Sequence, residues 1–277
     1  MGQTVVALLR SAPTPQSPPL QGGELGDKAT AMARKNKTRG GGNPNRPRFW
    51  GKHAVAAALD NPSRKVLKAW TTLEGAALMN FPKDLVVMRA EVPDLGRMVP
   101  ADAPHQGVVI EVEPLEDIWL SDLLSEAPER ALLLVLDQVT DPHNVGAILR
   151  SAAAFGAIGI VTQDRHSPPE GGALAKAASG ALERVPWVRV VNLARALEEI
   201  AEAGFWRIGL AGEADTDLKA ALGPQRVALV LGAEGPGMRS NTREHCDALA
   251  KLPISSAMES LNVSNAVAVA LYAASVA

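Results

Sequence analysis

The chain is poor in the residues that define several common protein classes. It has one cysteine, Cys246, among 277 residues, which excludes a disulfide framework and any zinc or iron–sulfur site built from cysteines. No apolar run reaches about 18 residues, so no transmembrane helix is expected. The short apolar stretch Val5–Leu9 lacks the preceding basic residues of a signal peptide. These absences predict a cytoplasmic protein without a metal site.

The chain also lacks an excess of charge of either sign. Its formal net charge is -2, from 28 Lys and Arg against 30 Asp and Glu, which excludes a uniformly basic protein. The average nevertheless conceals a local basic segment, because no acidic residue occurs between Asp27 and Asp60. The basic residues there are Lys28, Arg34, Lys35, Lys37, Arg39, Arg46, Arg48 and Lys52.

The first 47 residues contain no aromatic side chain but six Pro and seven Gly. A segment of this composition buries too little apolar surface to offset its chain entropy, so residues 1–47 are expected to form a disordered tail. Two functions stay open for the tail. It either increases solubility or acts as a basic arm that contacts phosphates.

The rest of the sequence divides into a short irregular part and a longer regular one. Residues 48–112 predict a small α/β domain, with a helix over 53–59 and strands over 66–71, 85–87 and 108–112. The acidic, proline-containing residues 113–130 suit a linker. From 131 to 277, short apolar runs alternate with stretches of helical spacing. This alternation is typical of an α/β domain whose parallel sheet is buried on both faces. The predicted strands are 132–136, 158–161, 188–191, 208–210, 227–231 and 250–252, and the helices are 145–155, 173–182, 193–203 and 261–274.

Ligands of open parallel sheets bind beyond the carboxyl ends of the strands, so the loops at these ends are the candidate sites. One such loop contains Gly232, Gly235 and Gly237, which permit close backbone approaches. It is neither a P-loop nor the dinucleotide-binding fingerprint, because the required lysine and glycine spacing are missing. Glu234 within this loop is expected to point into the crevice.

Two other loops carry polar residues whose roles stay open from spacing alone. Asn144 and Arg150 are six residues apart, roughly 120° around a helix, so they do not share a face. Asn144 either caps the helix or faces a ligand, and Arg150 is either solvated or binds phosphate. Ser260 and Asn262 precede the last helix, where they either cap it or, with its free N–H groups, bind an anion.

Five stretches of the sequence are similar to one known family. Residues Leu136–Ala152, Val230–Met238 and Leu252–Ser264 resemble the three motifs of the SpoU group of RNA 2′-O-ribose methyltransferases, in the SPOUT superfamily. Trp50–Val55 and His105–Gly107 resemble the small L30e-like domain that precedes the catalytic domain in the ribosomal-RNA guanosine members. The resemblance covers 131–277 in order and spacing.

The resemblance implies a fold, a cofactor and a reaction. The fold would be a parallel-sheet SPOUT domain with a C-terminal trefoil knot, in a homodimer, behind the L30e-like domain that binds RNA. The reaction would transfer a methyl group from S-adenosyl-L-methionine to a ribose 2′-OH, in a guanosine of large-subunit ribosomal RNA. The implied catalytic residues are Asn144, Arg150, Glu234, Ser260 and Asn262; the cofactor-binding residues are Ala211, Gly212, Gly232, Leu252, Ile254 and Leu261; the RNA-binding residues are Lys52, His53 and Arg150.

Two alternatives and one departure accompany this interpretation. A transfer-RNA ribose methyltransferase is the alternative within the family, although its members usually carry helical extensions in place of the small domain. A catalytically silent RNA-binding assembly factor of the same fold is the alternative outside enzymes. The departure is Ser256, which stands where the family usually has a glycine and indicates a different path for the third-motif loop.

Overall fold

The computed structural model describes residues 46–223, 226–255 and 257–277. The basic tail predicted over residues 1–47 lies outside this range except for its last two residues, and Ser256 also lies outside it. None of the helices in the described residues combines the length and the hydrophobicity of a membrane-spanning segment.

The N-terminal unit is a four-stranded sheet of order β1-β4-β2-β3 with three helices. Strands β1 and β2 run antiparallel to β4, whereas β3 is parallel to β2. The predicted helix and two of the three predicted strands are confirmed. The remaining strand lies two residues later than expected, and β1 was not predicted because three residues carry no readable alternation. The bounds are β1 Arg48–Trp50, α1 Lys52–Asp60, β2 Val66–Thr71, α2 Leu73–Ala76, β3 Val87–Arg89, α3 Val92–Met98 and β4 Val108–Val112.

The segment 113–130, expected as a linker, contains helix α4, Leu120–Ser125. Leu120 and Leu124 of this helix are buried and pack against the larger sheet described next. Two leucines four residues apart share one helix face, and this spacing predicts a short amphipathic helix. The acidic and proline residues around them led to the linker prediction instead.

The C-terminal part is built on a six-stranded, wholly parallel sheet of order β10-β8-β9-β5-β6-β7. All six predicted strands are present, within two residues at each end. The strands are β5 Ala131–Asp137, β6 Gly159–Gln163, β7 Trp187–Val190, β8 Trp206–Leu210, β9 Arg226–Gly232 and β10 Ala248–Ala250. The helices are α5 Pro142–Ala154, α6 Gly172–Ala178, α7 Leu193–Glu202, α8 Leu218–Ala221, α9 Ser240–Glu244 and α10 Val263–Ser275.

Both faces of this sheet are covered, as its continuous apolar strands require. Along β5, Leu134 and Leu136 face a core formed with α5, α6 and α10, whereas Leu133 and Val135 face a core formed with α4 and α7. The alternation follows from the period of two in a strand. The sheet thereby holds the carboxyl ends of its strands in one fixed edge.

One predicted helix is shorter than expected. The stretch 173–182 is helical only to Ala178, because Ser179 and Gly180 adopt left-handed backbone with φ of 51° and 95°. A separate 3₁₀ turn, Ala181–Glu183, follows. The apolar spacing continues across the break, which is why periodicity alone did not reveal it.

The N-terminal unit is joined to the larger sheet by a buried ion-pair cluster. The Arg64 side chain is fully buried, and its Nη1 lies 2.7 Å from Glu170 Oε2. Its Nε donates to Glu183 Oε2 at 3.0 Å, and Nη1 also donates to the Glu113 carbonyl at 2.8 Å. Buried charges require such partners, so this cluster fixes α1 and its surroundings against the α6 region.

Close packing strengthens the same junction. A Cβ atom on Gly172 would lie 1.7 Å from the Trp50 ring, so only glycine fits there. Phe49 and Val108 of the N-terminal unit also share one apolar core with Leu174 of α6. The N-terminal unit and the larger parallel-sheet part therefore share one hydrophobic core.

Replacing Arg64 with Met tests this junction. The variant leaves two carboxylates buried without their cation, so it should lose about 3–5 kcal/mol of unfolding free energy in urea denaturation. Arg97→Met is the matched control, because Arg97 pairs with Asp94 on the exposed surface and should change the free energy by less than about 1 kcal/mol. Equal losses in the two variants would contradict the role of the cluster.

Candidate functional site

A cavity of about 750 Å³ opens at the carboxyl ends of β8, β9 and β10. It is the place that the strand-end rule predicts for a ligand. All six residues expected to bind the cofactor line it, together with three of the five expected catalytic residues. These are Ala211, Gly212, Gly232, Leu252, Ile254 and Leu261, with Glu234, Ser260 and Asn262.

The glycine loop after β9 folds back onto the end of its own strand. The Gly237 N–H donates to the Ala233 carbonyl at 3.0 Å. A Cβ atom on Gly232 would lie 2.0 Å from the Gly237 carbonyl carbon, and Gly235 has φ of 84°. These positions require glycine, and the fold-back leaves backbone rather than side chains along the cavity wall.

A buried carboxylate that sequence reasoning missed anchors this loop. Asp137 ends β5 and is fully buried; it accepts hydrogen bonds from the Arg239 N–H at 2.9 Å and from Arg239 Nε at 2.8 Å. Arg239 Nη2 also donates to Gln163 Oε1 at 2.9 Å. In the sequence, Asp137 could have been found as the one acidic residue at the end of an otherwise apolar predicted strand. The pair fixes where the chain leaves the glycine loop.

Three expected catalytic residues form one hydrogen-bond network at the rim of the cavity. Glu234 Oε1 accepts from Asn262 Nδ2 at 2.6 Å, from Asn144 Nδ2 at 3.2 Å and from the Val263 N–H at 3.2 Å. Asn262 Nδ2 also donates to Asn144 Oδ1 at 3.1 Å. The network joins α5, the glycine loop and the start of α10, which are far apart in sequence.

The structure also settles the capping roles. Asp141, not Asn144, is the N-cap of α5, since its side chain accepts from the His143 N–H at 3.0 Å. Asn262 is the N-cap of α10, accepting from the Ser264 N–H at 2.9 Å, so α10 begins at Val263 rather than at 261. Of the two residues for which capping was left open, Asn262 therefore caps α10, and Ser260 is exposed at the cavity rim.

Arg150 does not join the network. It lies six residues after Asn144 on α5, about 9 Å along the helix axis, and is exposed. Among the residues that the structure describes, no hydrogen bond or ion pair involves its guanidinium. The two side chains thus lie on different faces of α5, as their spacing predicts. An exposed, permanently charged guanidinium is suited to an anionic ligand.

An ion pair on the far side of the cavity was not predicted. Glu213 follows β8 and Arg243 lies on α9, and their side chains hydrogen-bond beside the cavity. This hydrogen bond lowers the pKa of the Glu213 carboxyl below its ordinary value. Both charges are thus satisfied before any ligand binds. In the described part of the chain, no group of three or more His, Cys, Asp or Glu side chains is arranged to hold a metal.

The expected RNA-binding residues of the N-terminal unit are not part of this cavity. Lys52 and His53 begin α1, and the Lys52 N–H donates to Gln106 Oε1 at 3.0 Å. Their position on α1 places them beside α6, the helix that packs against α5.

Asn262 and Asn265 allow a matched test of the network. Asn262→Ala removes both the α10 cap and a donor to Glu234, so it should lower the unfolding free energy by about 1 kcal/mol in chemical denaturation. Asn265→Ala removes the same side chain three residues further on, at an exposed helix position, and should be neutral or slightly stabilising. Equal destabilisation by both would contradict a specific role for Asn262.

Comparison with known proteins agrees with this geometry. The SpoU rRNA Methylase family pattern matches residues 131–272. The chain is 40% identical over 235 residues to a Vibrio vulnificus protein named 23S rRNA (guanosine-2'-O-)-methyltransferase RlmB, covering 82% of this chain and 95% of that protein. A Ralstonia nicotianae protein of the same name is 42% identical over 237 residues, covering 81% and 93%.

Solved structures show the same architecture. The SpoU methyltransferase AviRb from Streptomyces viridochromogenes, in complex with the cofactor AdoMet, is similar with a TM-score of 0.68 and 25% identity, covering 83% of this chain and 89% of that chain. These matches confirm the resemblance that the three sequence motifs indicated, and with it the α/β fold built on a parallel sheet. The chain therefore belongs to the SpoU rRNA Methylase family.

Proposed function

We propose that this protein transfers a methyl group from S-adenosyl-L-methionine to the ribose 2′-OH of a guanosine in large-subunit ribosomal RNA. The observation that carries the proposal is the network of Asn144, Glu234 and Asn262 at the rim of a glycine-lined cavity. The names of its relatives at 40% and 42% identity support the guanosine and the ribosomal RNA. Such a protein acts in the cytoplasm.

The cavity suits the proposed cofactor. Leu210, Leu231, Leu252, Ile254 and Leu261 supply apolar surface for an adenine ring, and the folded-back glycine loop supplies backbone donors and acceptors for its edge. Ala211, Gly212 and Gly232 leave room for close backbone contact. When bound, S-adenosyl-L-methionine supplies a methyl group on a positively charged sulfur.

Positioning accounts for much of the proposed catalysis. Methyl transfer to an oxygen is an in-line displacement, so holding the ribose hydroxyl in line supplies much of the rate. Glu234 keeps Asn144 and Asn262 in place, and the Ser260 hydroxyl lies on the same rim. The side chains of Asn144, Asn262 and Ser260 orient the ribose at the mouth of the cavity.

Arg150 has a different role in this proposal. A guanidinium is a permanent cation with hydrogen-bond donors and no acceptor, so Arg150 is not the base. It binds the RNA phosphate next to the target ribose and stabilises the negative charge that develops on the 2′ oxygen. Glu234 Oε1 accepts three hydrogen bonds that hold the rim together, and in this proposal the RNA phosphate or water accepts the hydroxyl proton.

The rest of the chain is assigned by the same proposal. Residues 48–112 form the L30e-like RNA-binding domain, with Lys52 and His53 at its contact surface, and residues 113–130 connect it to the catalytic domain 131–277. Residues 1–47, outside the described range but for the last two, are an RNA-contacting arm.

The C-terminal trefoil knot is part of the proposal. It is supported by the path of the chain after β10, the edge strand next to β8. From there the chain returns past the glycine loop, and α10 packs on α5, β9 and β5 on the other side of β8. The Lys251–Asp217 bridge holds the departing segment against the loop that follows β8.

A homodimer through α10 completes the proposal. Val269 and Tyr272 are 48% and 58% exposed on one face of α10, and Val276, directly after the helix, is 65% exposed. Tyr272 contacts Phe155 of the α5 C-terminus edge-on. A second copy of this chain would cover this apolar face, since helix surfaces this apolar are rarely left in water.

The dimer is tested by replacing Tyr272 with Glu. A charge at the centre of the covered face should convert the dimer to a monomer in light scattering at micromolar concentration. Val191→Glu is the control, because Val191 is 83% exposed at the end of β7, away from α10, and should leave the mass unchanged. A wild-type monomer would contradict the dimer directly.

The reaction is tested with labelled S-adenosyl-L-methionine, ribosomal RNA and transfer RNA. We expect label in ribosomal RNA alone, at a guanosine 2′-O position. Arg150→Ala should lower the transfer rate at least about hundredfold while cofactor affinity stays within twofold, because Arg150 contacts only RNA. Arg195→Ala, which removes an exposed arginine of α7, should match the wild type.

Each other result has a defined meaning. Label in transfer RNA alone would show that the substrate is transfer RNA and not ribosomal RNA. Cofactor binding without methyl transfer to any RNA would show that the protein is a catalytically silent RNA-binding factor. Equal loss of transfer and cofactor affinity in Arg150→Ala would refute the role given to Arg150.

A further inference from the structure

A lysine of the catalytic domain reaches across to the N-terminal unit. Lys176 lies on α6, and its Nζ donates to Gln106 Oε1 at 2.8 Å. The same oxygen accepts from the Lys52 N–H at 3.0 Å. The ammonium lies so close to the α1 N-terminus that a Cβ atom on Gly51 would be 2.4 Å from Nζ. One neutral oxygen thus holds two donors from two parts of the fold.

We call the contact between Gln106, the start of α1 at Lys52 and Lys176 of α6 the seam. Positive charge accumulates there. The side chains of Lys52 and His53 flank it on the first turn of α1, which contains no acidic residue. Within the described ranges, no carboxylate lies within ion-pair distance of Lys176. Partial burial of the Lys176 ammonium removes part of its hydration and lowers its pKa. A neutral amide oxygen compensates such a charge less well than an anion does.

Backbone strain keeps the amide oxygen in this position. Gln106 is not a glycine, yet its φ is 55°, in the left-handed region that costs energy for such a residue. The next residue, Gly107, has φ of 79°, and its N–H donates to His105 Nδ1 at 3.2 Å. The tight turn therefore directs the Gln106 side chain onto the two donors, and Gln106 itself is exposed, so another acceptor can reach them.

We propose that Lys176 and the Lys52 N–H bind one phosphate of the RNA substrate across this seam, where the phosphate oxygen takes the place of the Gln106 amide oxygen. The inference rests on the proposed methylation of RNA and adds a contact that lies outside the cofactor cavity. Since α6 packs against α5, which carries Arg150, the bound strand is held by the N-terminal unit and the catalytic domain at once.

The first test removes the charge of Lys176. Lys176→Met should weaken binding of a ribosomal-RNA fragment about tenfold, the value of one hydrogen bond between charged groups. The slope of log K against log salt concentration should fall in magnitude by about 1, as expected for one lost phosphate contact. Lys65→Met is the matched control, because the Lys65 ammonium is already paired with Glu113 at 3.0 Å and should leave affinity and slope unchanged.

The second test separates phosphate binding from a merely structural contact. Gln106→Glu places a carboxylate between the same two donors, so it should keep the junction folded and raise Tm through the new ion pair. If the donors bind phosphate, the same variant should weaken RNA binding at least tenfold, since the carboxylate competes for them and repels the strand. If Lys176 only joins the two parts, Gln106→Glu would be more stable and bind RNA as the wild type does.

The outcomes distinguish this inference from the proposed function. Wild-type protein that transfers methyl groups to RNA, together with Lys176→Met of unchanged affinity and salt slope, overturns the inference alone. Wild-type protein that neither binds nor methylates RNA overturns the proposed function before any variant is compared. Cofactor affinity should stay unchanged in both variants, and its loss would show that the seam acts on the cavity and would also overturn the inference.

Discussion

One carboxylate oxygen joins the segments that make the candidate site. Glu234 Oε1 accepts hydrogen bonds from Asn144 on α5, from Asn262 ahead of α10 and from the Val263 backbone. The glycine loop, α5 and the start of α10 follow three different strands, so these hydrogen bonds and the one from Asn262 to Asn144 join parts of the chain that are far apart in sequence. The position of the last helix, and with it the shape of the cavity, therefore depends on a residue that the glycine loop carries.

The glycine loop in turn depends on the sheet beneath it. Gly232 is the last residue of β9, and its missing side chain is what lets the loop return onto the strand end. Asp137 at the end of the adjacent β5 then holds Arg239 where the loop ends. The buried Asp137 carboxylate requires a cationic partner, and its pairing with Arg239 fixes the position at which the chain leaves the glycine loop. The site is thus assembled by neighbouring strands of the parallel sheet, in the manner that makes their carboxyl ends a usual place for ligands.

Sequence patterns predicted the regular elements well because burial on both faces leaves long apolar runs. All six strands of the larger sheet followed from such runs, whereas β1 and α4 did not, since each is short and lies among prolines or charges. Motif resemblance placed Asn144, Glu234 and Asn262 in one site, but spacing alone could not, because their contact depends on how α10 returns to α5. Spacing left the cap of α5 open for a local reason: Asp141 and Asn144 are both good capping residues, and Pro142 selects Asp141 by occupying the opening turn.

Helix α1 shows how a nearly neutral chain can still present a basic surface. Just beyond its C-terminal end, Arg64 is buried with Glu170 and Glu183, and the exposed Lys65 is paired with Glu113, so both cations have carboxylate partners. At its N-terminal end Lys52 and Lys176 meet no carboxylate among the described residues. The cations beyond one end of α1 are thus paired with carboxylates, and cations without a carboxylate partner among the described residues lie at the other end. Because the buried cluster fixes α1 against the α6 region, the cations at the other end of α1 keep a constant spacing, which is what a rigid phosphate backbone contact requires.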